Sequence, residues 1–399
     1  MTDDAVDAPL FFLVAGEASG DVIGARLMLA LKALTGGNAR FAGIGGEQMQ
    51  SAGMESLFPM RELSVMGIFE VLPHVPKLLQ RIRETEQAAR DLSARVVVTI
   101  DSPDFCFRVG KRLKGSGVPV VHYVAPQVWA WRPGRARKIA KFLAHLLLLF
   151  PFEEKFFSGT GLPTTFVGHP LAEGFIEDAD GPAFRRAHGI PQDENLLAIL
   201  PGSRHSEISR HLPIFGDTIN TLAARNILSW VVILAVPGLR KEIAAAAKNW
   251  NVRTVIVDGT TREVKYAALA ASTGALTSSG TATLELAVAG VPMVVAYRAN
   301  QITVAVARRV VRVQHIALAN IVAGCRAAPE YLQQDCTSRK LAPAVENILL
   351  DPAAREDQIN RFRTVSRHLG IGGIAPSELA AKAVLAVALD TSANKGKRT

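Results

Sequence analysis

Apolar positions cluster along the chain in short runs, and most runs end in a turn rich in glycine, serine or aspartate that leads into a helical segment. In the first half such runs cover residues 10–15, 95–100 and 118–124, and in the second half residues 196–200 and 275–277. Apolar runs of this length, without strict alternation, are typical of parallel strands buried on both faces. The pattern therefore predicts an α/β protein built from two doubly wound domains.

The turn after the last of these runs has the composition of a phosphate-binding loop. Ser279, Gly280 and Thr281 lie between residues 275–277 and a helical segment, where free backbone N–H groups and the helix dipole favour an anion. Glu285 falls in the first turns of that helix and could accept hydrogen bonds from both hydroxyls of a ribose. An ordinary strand, loop and helix capped by serine or threonine fits this stretch equally well, so both interpretations stay open.

Charged residues follow three other predicted strands. Arg204 lies in a glycine-containing turn before a helix, where it could contact a diphosphate through two parallel hydrogen bonds. Glu17 and Asp21 would repel a phosphate, so we expect their turn to face a polar acceptor sugar, unless both only complement a helix N-terminus. Asp101 follows a β-branched run and is a candidate general base, or else a turn or cap residue before a helix at residues 105–114.

An apolar segment near the middle of the first half is open to two interpretations. Residues 63–72 are poorly periodic and are closed by prolines. They could be part of a core, which their composition alone favours, or they could offer Met66, Ile68 and Phe69 to acyl chains.

A second unusual segment combines aromatic and cationic residues. Residues 125–135 place two of the four tryptophans, Trp129 and Trp131, beside Arg132 and Arg135. Aromatic and arginine side chains that alternate in this way can stack on bases, hold phosphates or lie at a lipid headgroup layer. The sequence therefore indicates a binding surface here and leaves its ligand open.

Length, charge and cysteine content narrow the classes of protein. With 399 residues, 49% hydrophobic and 6% aromatic, the chain suits a two-domain α/β protein better than a sandwich or a repeat array. A formal net charge of +9 permits contact with anionic lipid or phosphates, and alone leaves nucleic acid open. Three scattered cysteines indicate neither a disulfide framework nor a zinc site and favour the cytosol. The acidic N-terminus does not resemble a signal peptide, and the longest apolar run, residues 142–150, is too short to span a bilayer.

Seven sequence blocks follow one another in a recognisable order. They are AGEASGD at residues 15–21, MGIFEVL at 66–72, IDSPDF at 100–105, HYVAPQVWAWR at 122–132, FVGHPL at 166–171, LPGSR at 200–204 and SSGTATLE at 278–285. Together they closely resemble the lipid-A-disaccharide synthase family, and the match extends over almost the whole chain from residue 10 to about residue 333. The resemblance implies the GT-B architecture, in which two Rossmann-like domains face each other across a cleft.

The resemblance also implies a reaction. An inverting transferase that uses neither a metal nor a cofactor would join UDP-2,3-diacylglucosamine to 2,3-diacylglucosamine 1-phosphate, giving UDP and lipid A disaccharide 1-phosphate for lipid A biosynthesis. Asp101 matches the family's proposed base, which takes the proton of the acceptor 6-hydroxyl, and Glu17 matches a second carboxylate of the cleft. The residues that match the UDP site are Arg204, Ser279, Gly280, Thr281, Glu285 and Asn320. The segment around Asn320 reads ANIVAG, with Ala319 where the family usually has proline.

A location and a domain order follow from the same resemblance. It implies a peripheral protein on the cytoplasmic face of the inner membrane, and it leaves a homodimer open. The membrane and acceptor residues would be Met66, Ile68, Phe69, Trp129, Trp131, Arg132 and Arg135. We expect an acceptor-binding domain at residues 1–172, a UDP-sugar-binding domain at 173–350, C-terminal helices at 351–390 that cross back to the first domain, and a disordered tail at 391–399.

Two other functions fit parts of the pattern. A UDP-sugar epimerase of the same architecture would need an acid and base pair acting at C2 of the sugar, and no lipid surface. A nucleic-acid-binding protein would use the tryptophan and arginine block, but the family resemblance implies no nucleic acid partner.

Overall fold

A computed structural model describes residues 8–63, 75–128, 134–174, 176–300 and 314–395 of the chain. The chain divides into two compact units. The first contains the residues up to 172 together with those from 372 onwards, and the second contains residues 173–371. Each unit has a parallel sheet of six strands within the described residues, so the predicted α/β class with two doubly wound domains is confirmed.

The sheet of the first unit is built from buried apolar runs. Its strands are β1 (Leu10–Ala15), β2 (Arg40–Ile44), β3 (Val96–Ile100), β4 (Val120–Tyr123), β5 (His145–Leu148) and β6 (Thr164–Phe166). They lie in the order β2-β1-β3-β4-β5-β6, and neighbouring strands are parallel. Every residue of β3 is buried, because helices cover both faces of such a sheet, and its sequence VVVTI is accordingly apolar except for Thr99.

Helices connect the strands of the first unit. They are α1 (Ala18–Leu34), α2 (Glu47–Ser51), α3 (Val75–Asp91), α4 (Pro103–Leu113), α5 (Gly134–Ile139), α6 (Glu154–Phe157) and α7 (Leu171–Gly174). α4 begins two residues earlier than predicted, because Pro103 occupies its first turn, where the missing N–H has no partner in any helix. Asp101 and Ser102 therefore form the whole turn between β3 and α4.

The second unit repeats this arrangement. Its strands are β7 (Leu196–Leu200), β8 (Trp230–Ala235), β9 (Arg253–Asp258), β10 (Gly274–Thr277), β11 (Met293–Tyr297) and β12 (Glu330–Leu332). Its helices are α8 (Gly181–Ala187), α9 (His205–Ala224), α10 (Arg240–Ala247), α11 (Arg262–Ala270), α12 (Ala282–Val288), α13 (Leu318–Ala323), α14 (Ser338–Leu350) and α15 (Pro352–Leu369). The strand order is β12-β11-β10-β7-β8-β9, so β7 and β11 flank β10 and the turns that follow these three strands share one sheet edge.

The C-terminal helices predicted as one segment are divided between the units. α15 contacts α12 and α13 in the second unit, whereas α16 (Pro376–Lys395) contacts α1 in the first. α16 extends to Lys395 and so includes the first five residues of the segment predicted as a disordered tail. The sequence contains no glycine or proline from Ser377 to Lys395 that would end the helix earlier.

Candidate active site

Two carboxylates predicted as site residues lie at the same edge of the first sheet. β1 and β3 are parallel neighbours, with Ala15 paired to Ile100, so Glu17 and Asp101 both follow at the carboxyl ends of these strands. Asp101 is partly exposed, and the hydroxyl of Ser19 donates a hydrogen bond to its Oδ2 at 3.3 Å. The structure therefore brings Glu17 and Asp101 to the sheet edge where ligands of open parallel sheets bind.

The backbone at this edge adopts conformations that most residues avoid. φ is +52° at Asp101 and +40° at Ser102, and it is +81° at Val124, just after the neighbouring strand β4. A positive φ is rare for non-glycine residues and most unfavourable for a β-branched one. Since each such residue costs about 1–3 kcal/mol, it persists only where its surroundings fix it, which is common at functional sites.

A close approach between two turns helps to fix this backbone. A Cβ atom on Gly16 would lie 2.5 Å from Oγ of Ser102. The N–H of Asp101 donates to the carbonyl of Tyr123 at 2.9 Å, which extends the pairing of β3 and β4 into the turn. Only a glycine at position 16 allows the turn that carries Glu17 to lie this near the turn that carries Asp101.

The thiol of Cys106 is influenced by the negative charge of this edge. Cys106 is fully buried under the carboxyl ends of β1 and β3. Burial raises the pKa of its thiol, and the negative charges of Asp101 and Glu17 raise it further. The thiol therefore stays protonated, and this cysteine is not an activated nucleophile.

Asp21 has a structural role that the sequence pattern did not reveal. It is buried, and its carboxylate accepts hydrogen bonds from the backbone N–H groups of Gly46 at 2.8 Å, Gln48 at 3.0 Å and Met49 at 3.0 Å. These groups begin α2, which has no cap of its own from Gly46. Asp21 thus caps a helix distant in sequence, and neither of its oxygens is left to face an acceptor sugar.

His169, in the FVGHPL block, also belongs to a turn. Its Nδ1 accepts from the N–H of Leu171 at 3.1 Å, and its ring stacks on Phe150 with centroids 5.5 Å apart. Burial lowers the pKa of His169 to about 4. A neutral imidazole that caps the next turn explains its position without a substrate.

The predicted phosphate loop after β10 presents backbone donors. Among the described residues, the N–H groups of residues 279–282 have no hydrogen bond partner, and φ at Gly280 is +124°. The side chain of Thr281 does not cap α12, and the hydroxyl of Thr283 donates to the Gly280 carbonyl at 2.7 Å. The ordinary interpretation, a helix capped by a hydroxyl side chain, therefore does not describe this turn. Because α12 has only seven residues, the N–H groups matter more than a helix dipole.

Arg204 lies in the turn after β7, at the same sheet edge as the phosphate loop after β10. Its side chain is 67% exposed, and its guanidinium lies 3.6 Å from Oε1 of Glu207. The other oxygen of that carboxylate, Oε2, accepts from the N–H of Ser203 at 3.2 Å. A Cβ atom on Gly202, where φ is +126°, would lie 2.7 Å from Oε2 of Glu207. Gly202 and Glu207 together therefore shape the turn and hold the exposed arginine.

Glu285 has a partner that sequence reasoning missed. Nζ of Lys265, on α11, lies 2.6 Å from Oε1 of Glu285, and both side chains are mostly buried. The ion pair fixes the carboxylate in the first turns of α12 and partly neutralises it. A lone lysine on the preceding helix was the only available signal, and it does not indicate a pairing across 20 residues.

Asn320, predicted as a UDP ligand, is engaged within the protein. It is fully buried; its Oδ1 accepts from the N–H of Ala328 at 2.8 Å, and its Nδ2 donates to the Ala328 carbonyl at 2.8 Å and to Glu330 at 2.5 Å. The residue before it uses the N–H that a proline would lack, because Ala319 donates to the Thr283 hydroxyl at 3.2 Å. The loop is therefore tied directly to α12.

Most of the predicted membrane residues lie outside the described part of the chain: Met66, Ile68, Phe69, Trp129, Trp131 and Arg132. Arg135 is described, and its guanidinium lies 5.1 Å from the ring centroid of Phe107 and 3.7 Å from Asp104. In the part of the chain that the structure describes, no helix is long and apolar enough to cross a bilayer. Nor do the described residues contain three or more His, Cys, Asp or Glu side chains grouped to hold a metal ion.

Comparison with known proteins adds sequence relationships to this geometry. A model of the lipid-A-disaccharide synthetase family matches residues 11–384. The lipid-A-disaccharide synthase of Rhodospirillum centenum is 50% identical over 380 residues, which cover 95% of this chain and 94% of that protein. The chain belongs to the lipid-A-disaccharide synthase family. The synthase of Paramagnetospirillum magneticum is 45% identical over 380 residues, covering 94% of this chain and 97% of that protein. The predicted family is thus confirmed, and with it the class of enzyme, a glycosyltransferase of lipid A biosynthesis.

Solved structures agree on the fold. UDP-GlcNAc 2-epimerase from Neisseria meningitidis, bound to UDP-GlcNAc, superposes with a TM-score of 0.64 at 14% identity, covering 94% of this chain and 100% of that chain. The glycotransferase of kitacinnamycin superposes with a TM-score of 0.64 at 16% identity, covering 95% of this chain and 99% of that chain. At such identities the likeness concerns the fold alone, and it supports the predicted GT-B class.

Proposed function

We propose that this member of the family transfers 2,3-diacylglucosamine from UDP to the 6-hydroxyl of 2,3-diacylglucosamine 1-phosphate, with inversion at the anomeric carbon. The acceptor oxygen forms a bond to that carbon while the bond to the UDP oxygen breaks. UDP leaves with the electron pair, and the acceptor proton goes to Asp101. The observation that carries the proposal is the partly exposed carboxylate of Asp101, held in a strained turn at the end of β3, in a chain of this family.

Asp101 suits the role of general base. Ser19 donates to Oδ2, whereas Oδ1 has no hydrogen bond partner among the described residues, so Oδ1 can receive the acceptor proton. A positioned base of this kind contributes about 10²–10⁴-fold to a rate. Glu17 adds negative charge at the same edge and helps to orient the hydroxyl groups of the acceptor sugar.

The second unit is proposed to bind UDP. The N–H groups of residues 279–282 and the exposed guanidinium of Arg204 would contact the diphosphate, and Glu285, fixed by Lys265, would accept the ribose hydroxyls. Donors already in place where negative charge develops stabilise a leaving diphosphate without reorganisation. Asn320 contributes indirectly, by holding its loop against α12 through its neighbour Ala319.

A peripheral position on the cytoplasmic face of the inner membrane is part of the proposal. Arg137 and Lys138 on α5, and Lys141 just after it, are exposed cations that directly follow the tryptophan and arginine block. Anionic headgroups attract such a cluster by about 1 kcal/mol per cation. Arg137→Glu with Lys138→Glu should therefore weaken sedimentation with anionic vesicles. The matched double change Lys241→Glu with Lys248→Glu, on exposed positions of the second unit, should not; equal losses would refute a specific surface.

The proposed reaction is tested with the purified enzyme, the UDP-diacylglucosamine donor and the monosaccharide phosphate acceptor. We expect UDP release and a disaccharide product, and we expect Asp101→Asn to lose about 10²–10⁴-fold in kcat while UDP binding is retained. Asp104→Asn is the matched control, because Asp104 is a fully exposed carboxylate three residues away. If Asp101→Asn turns over like the wild type, Asp101 is not the base. If the sugar is epimerised at C2 while UDP stays attached, the epimerase alternative is correct instead.

A further inference from the structure

A buried histidine joins two turns of the second unit. His211 lies on α9 and is fully buried. Its Nδ1 lies 2.8 Å from the carbonyl oxygen of Pro201, and its Nε2 lies 3.0 Å from the backbone nitrogen of Arg298. A carbonyl only accepts and a backbone N–H only donates, so Nδ1 carries the proton and Nε2 is bare. His211 is therefore a neutral bridge with one defined tautomer.

The bridge spans the strands on both sides of the proposed phosphate loop. Pro201 follows β7 and Arg298 follows β11, and these strands flank β10, whose turn contains Ser279 and Gly280. Thr277 at the end of β10 pairs with Leu200 on one side and with Val295 on the other. The imidazole thus sets the spacing of the turns between which the residue 279–282 donors lie.

The surroundings of His211 keep it in place and uncharged. Its ring stacks on Phe215 at a centroid distance of 5.7 Å and contacts Tyr297 at 5.5 Å. Burial lowers the pKa of His211; the Pro201 carbonyl and Glu207 oppose this shift, and Arg210 adds to it. Tyr297, the titratable group that β11 contributes, has a pKa raised by burial and is neutral near pH 7. The lowered pKa therefore favours the neutral imidazole that this bridge requires.

We propose that His211 is a positioning residue for the nucleoside diphosphate end of the donor. It fixes the turn that leads through Gly202 to Arg204 against the turn after β11. This inference rests on the proposed function, because it assumes that UDP binds at these turns. Without the bridge, the buried Pro201 carbonyl and the Arg298 N–H lose their partner, the two turns relax, and Arg204 no longer meets the diphosphate in register with the loop after β10.

The experiment measures UDP binding by titration calorimetry well below the unfolding temperature, together with the KM of the donor and kcat. His211→Phe keeps the stacked ring and removes both hydrogen bonds, so we expect UDP to bind about tenfold more weakly and the donor KM to rise while kcat changes little. His211→Gln, which can still donate and accept, should recover part of the affinity. His145→Phe is the control. It removes a 2.8 Å hydrogen bond to Thr165 in the sheet of the first unit, outside the proposed UDP site, so UDP affinity should stay unchanged.

Each result decides between the two proposals. Wild-type affinity in folded His211→Phe overturns the role of His211 and leaves the UDP site intact. A wild-type enzyme that does not bind UDP overturns the proposed function and the inference together. Should His211→Phe fail to fold, nitrogen NMR of the wild-type imidazole and the affinity of His211→Gln decide: a proton on Nε2, or unchanged UDP affinity, refutes the bridge.

Discussion

Replacement of Asp21 distinguishes a structural carboxylate from a substrate-binding one. The AGEASGD block predicted a turn that faces the acceptor sugar, but the carboxylate of Asp21 accepts three backbone hydrogen bonds at the start of α2. Asp21→Ala removes all three. Asp21→Asn is a milder change, because the side chain can keep Oδ1, which accepts from Gly46 and Met49. Its new NH2 group would face the N–H of Gln48, and two donors cannot form a hydrogen bond with each other.

The expected magnitudes follow from these bonds. A hydrogen bond contributes about 1 kcal/mol net, and more when the acceptor is charged and the donor is buried, as the N–H of Met49 is. Asp21→Ala should therefore lower the free energy of unfolding by about 3 kcal/mol, and Asp21→Asn by about 1 kcal/mol. For a unit of this size, about 2–4 °C of Tm corresponds to each kcal/mol, which gives losses near 9 °C and 3 °C.

Calorimetry measures the Tm, hydrogen exchange reports whether the amides of residues 46–49 lose protection, and kcat is measured well below the transition. We expect both variants to keep kcat within about twofold of the wild type, since neither oxygen of Asp21 is left for the substrate. Asp91→Asn, an exposed carboxylate of the same unit, should leave the Tm unchanged. A variant Asp21→Asn that unfolds like the wild type yet loses tenfold or more in kcat would show that Asp21 contacts the acceptor after all.

Two further outcomes are expected. Lys265→Met leaves the mostly buried carboxylate of Glu285 without its ion pair, so the Tm should fall and the KM for the UDP-sugar should rise. Lys265→Arg should restore much of both the Tm and the KM. An unchanged KM in Lys265→Met would show that Glu285 does not contact the nucleotide. Burial lowers the pKa of His122 to about 3, so the unfolded chain binds a proton that the folded chain refuses, and stability should fall as pH drops from 6.5 towards 3. His122→Phe should make the free energy of unfolding, measured by urea denaturation, depend less on pH. If the variant loses stability as steeply as the wild type, other groups cause the pH dependence.

The sequence predicted those features that depend on local pattern. The β-branched run of β3 and the glycine-bearing turns after β7 and β10 are local, and each was found where the apolar runs placed it. The position of Asp101 at the end of a strand was predictable for the same reason. Its positive φ was not, because that conformation depends on how closely the turns of Gly16 and Ser102 approach.

Side chains that bond to backbone groups of other segments could not be predicted. Asp21 and His211 each join turns far from their own positions, and nothing in the spacing of the sequence indicates those partners. Asn320 shows another limit of local pattern: the motif match predicts a contact with UDP, and it does not reveal that the amide hydrogen-bonds to Ala328 and Glu330. Motif matches locate the residues that shape a site without distinguishing the ligands from their supports.

The distribution of charge between the two units has a physical reason. A general base must stay ionised to accept a proton, and a nearby phosphate would raise its pKa and weaken binding of the donor by repulsion. The first unit carries the carboxylates Glu17 and Asp101 at one sheet edge, where burial raises the pKa of the Cys106 thiol and their charge adds to that shift. The second unit carries the N–H groups of residues 279–282, which have no hydrogen bond partner among the described residues, and the exposed cation of Arg204. Its Glu285 is partly neutralised by Lys265. The proposed base and the proposed diphosphate donors therefore belong to different sheets, so the carboxylates of one unit do not cancel the positive charge that the other unit would offer to a diphosphate.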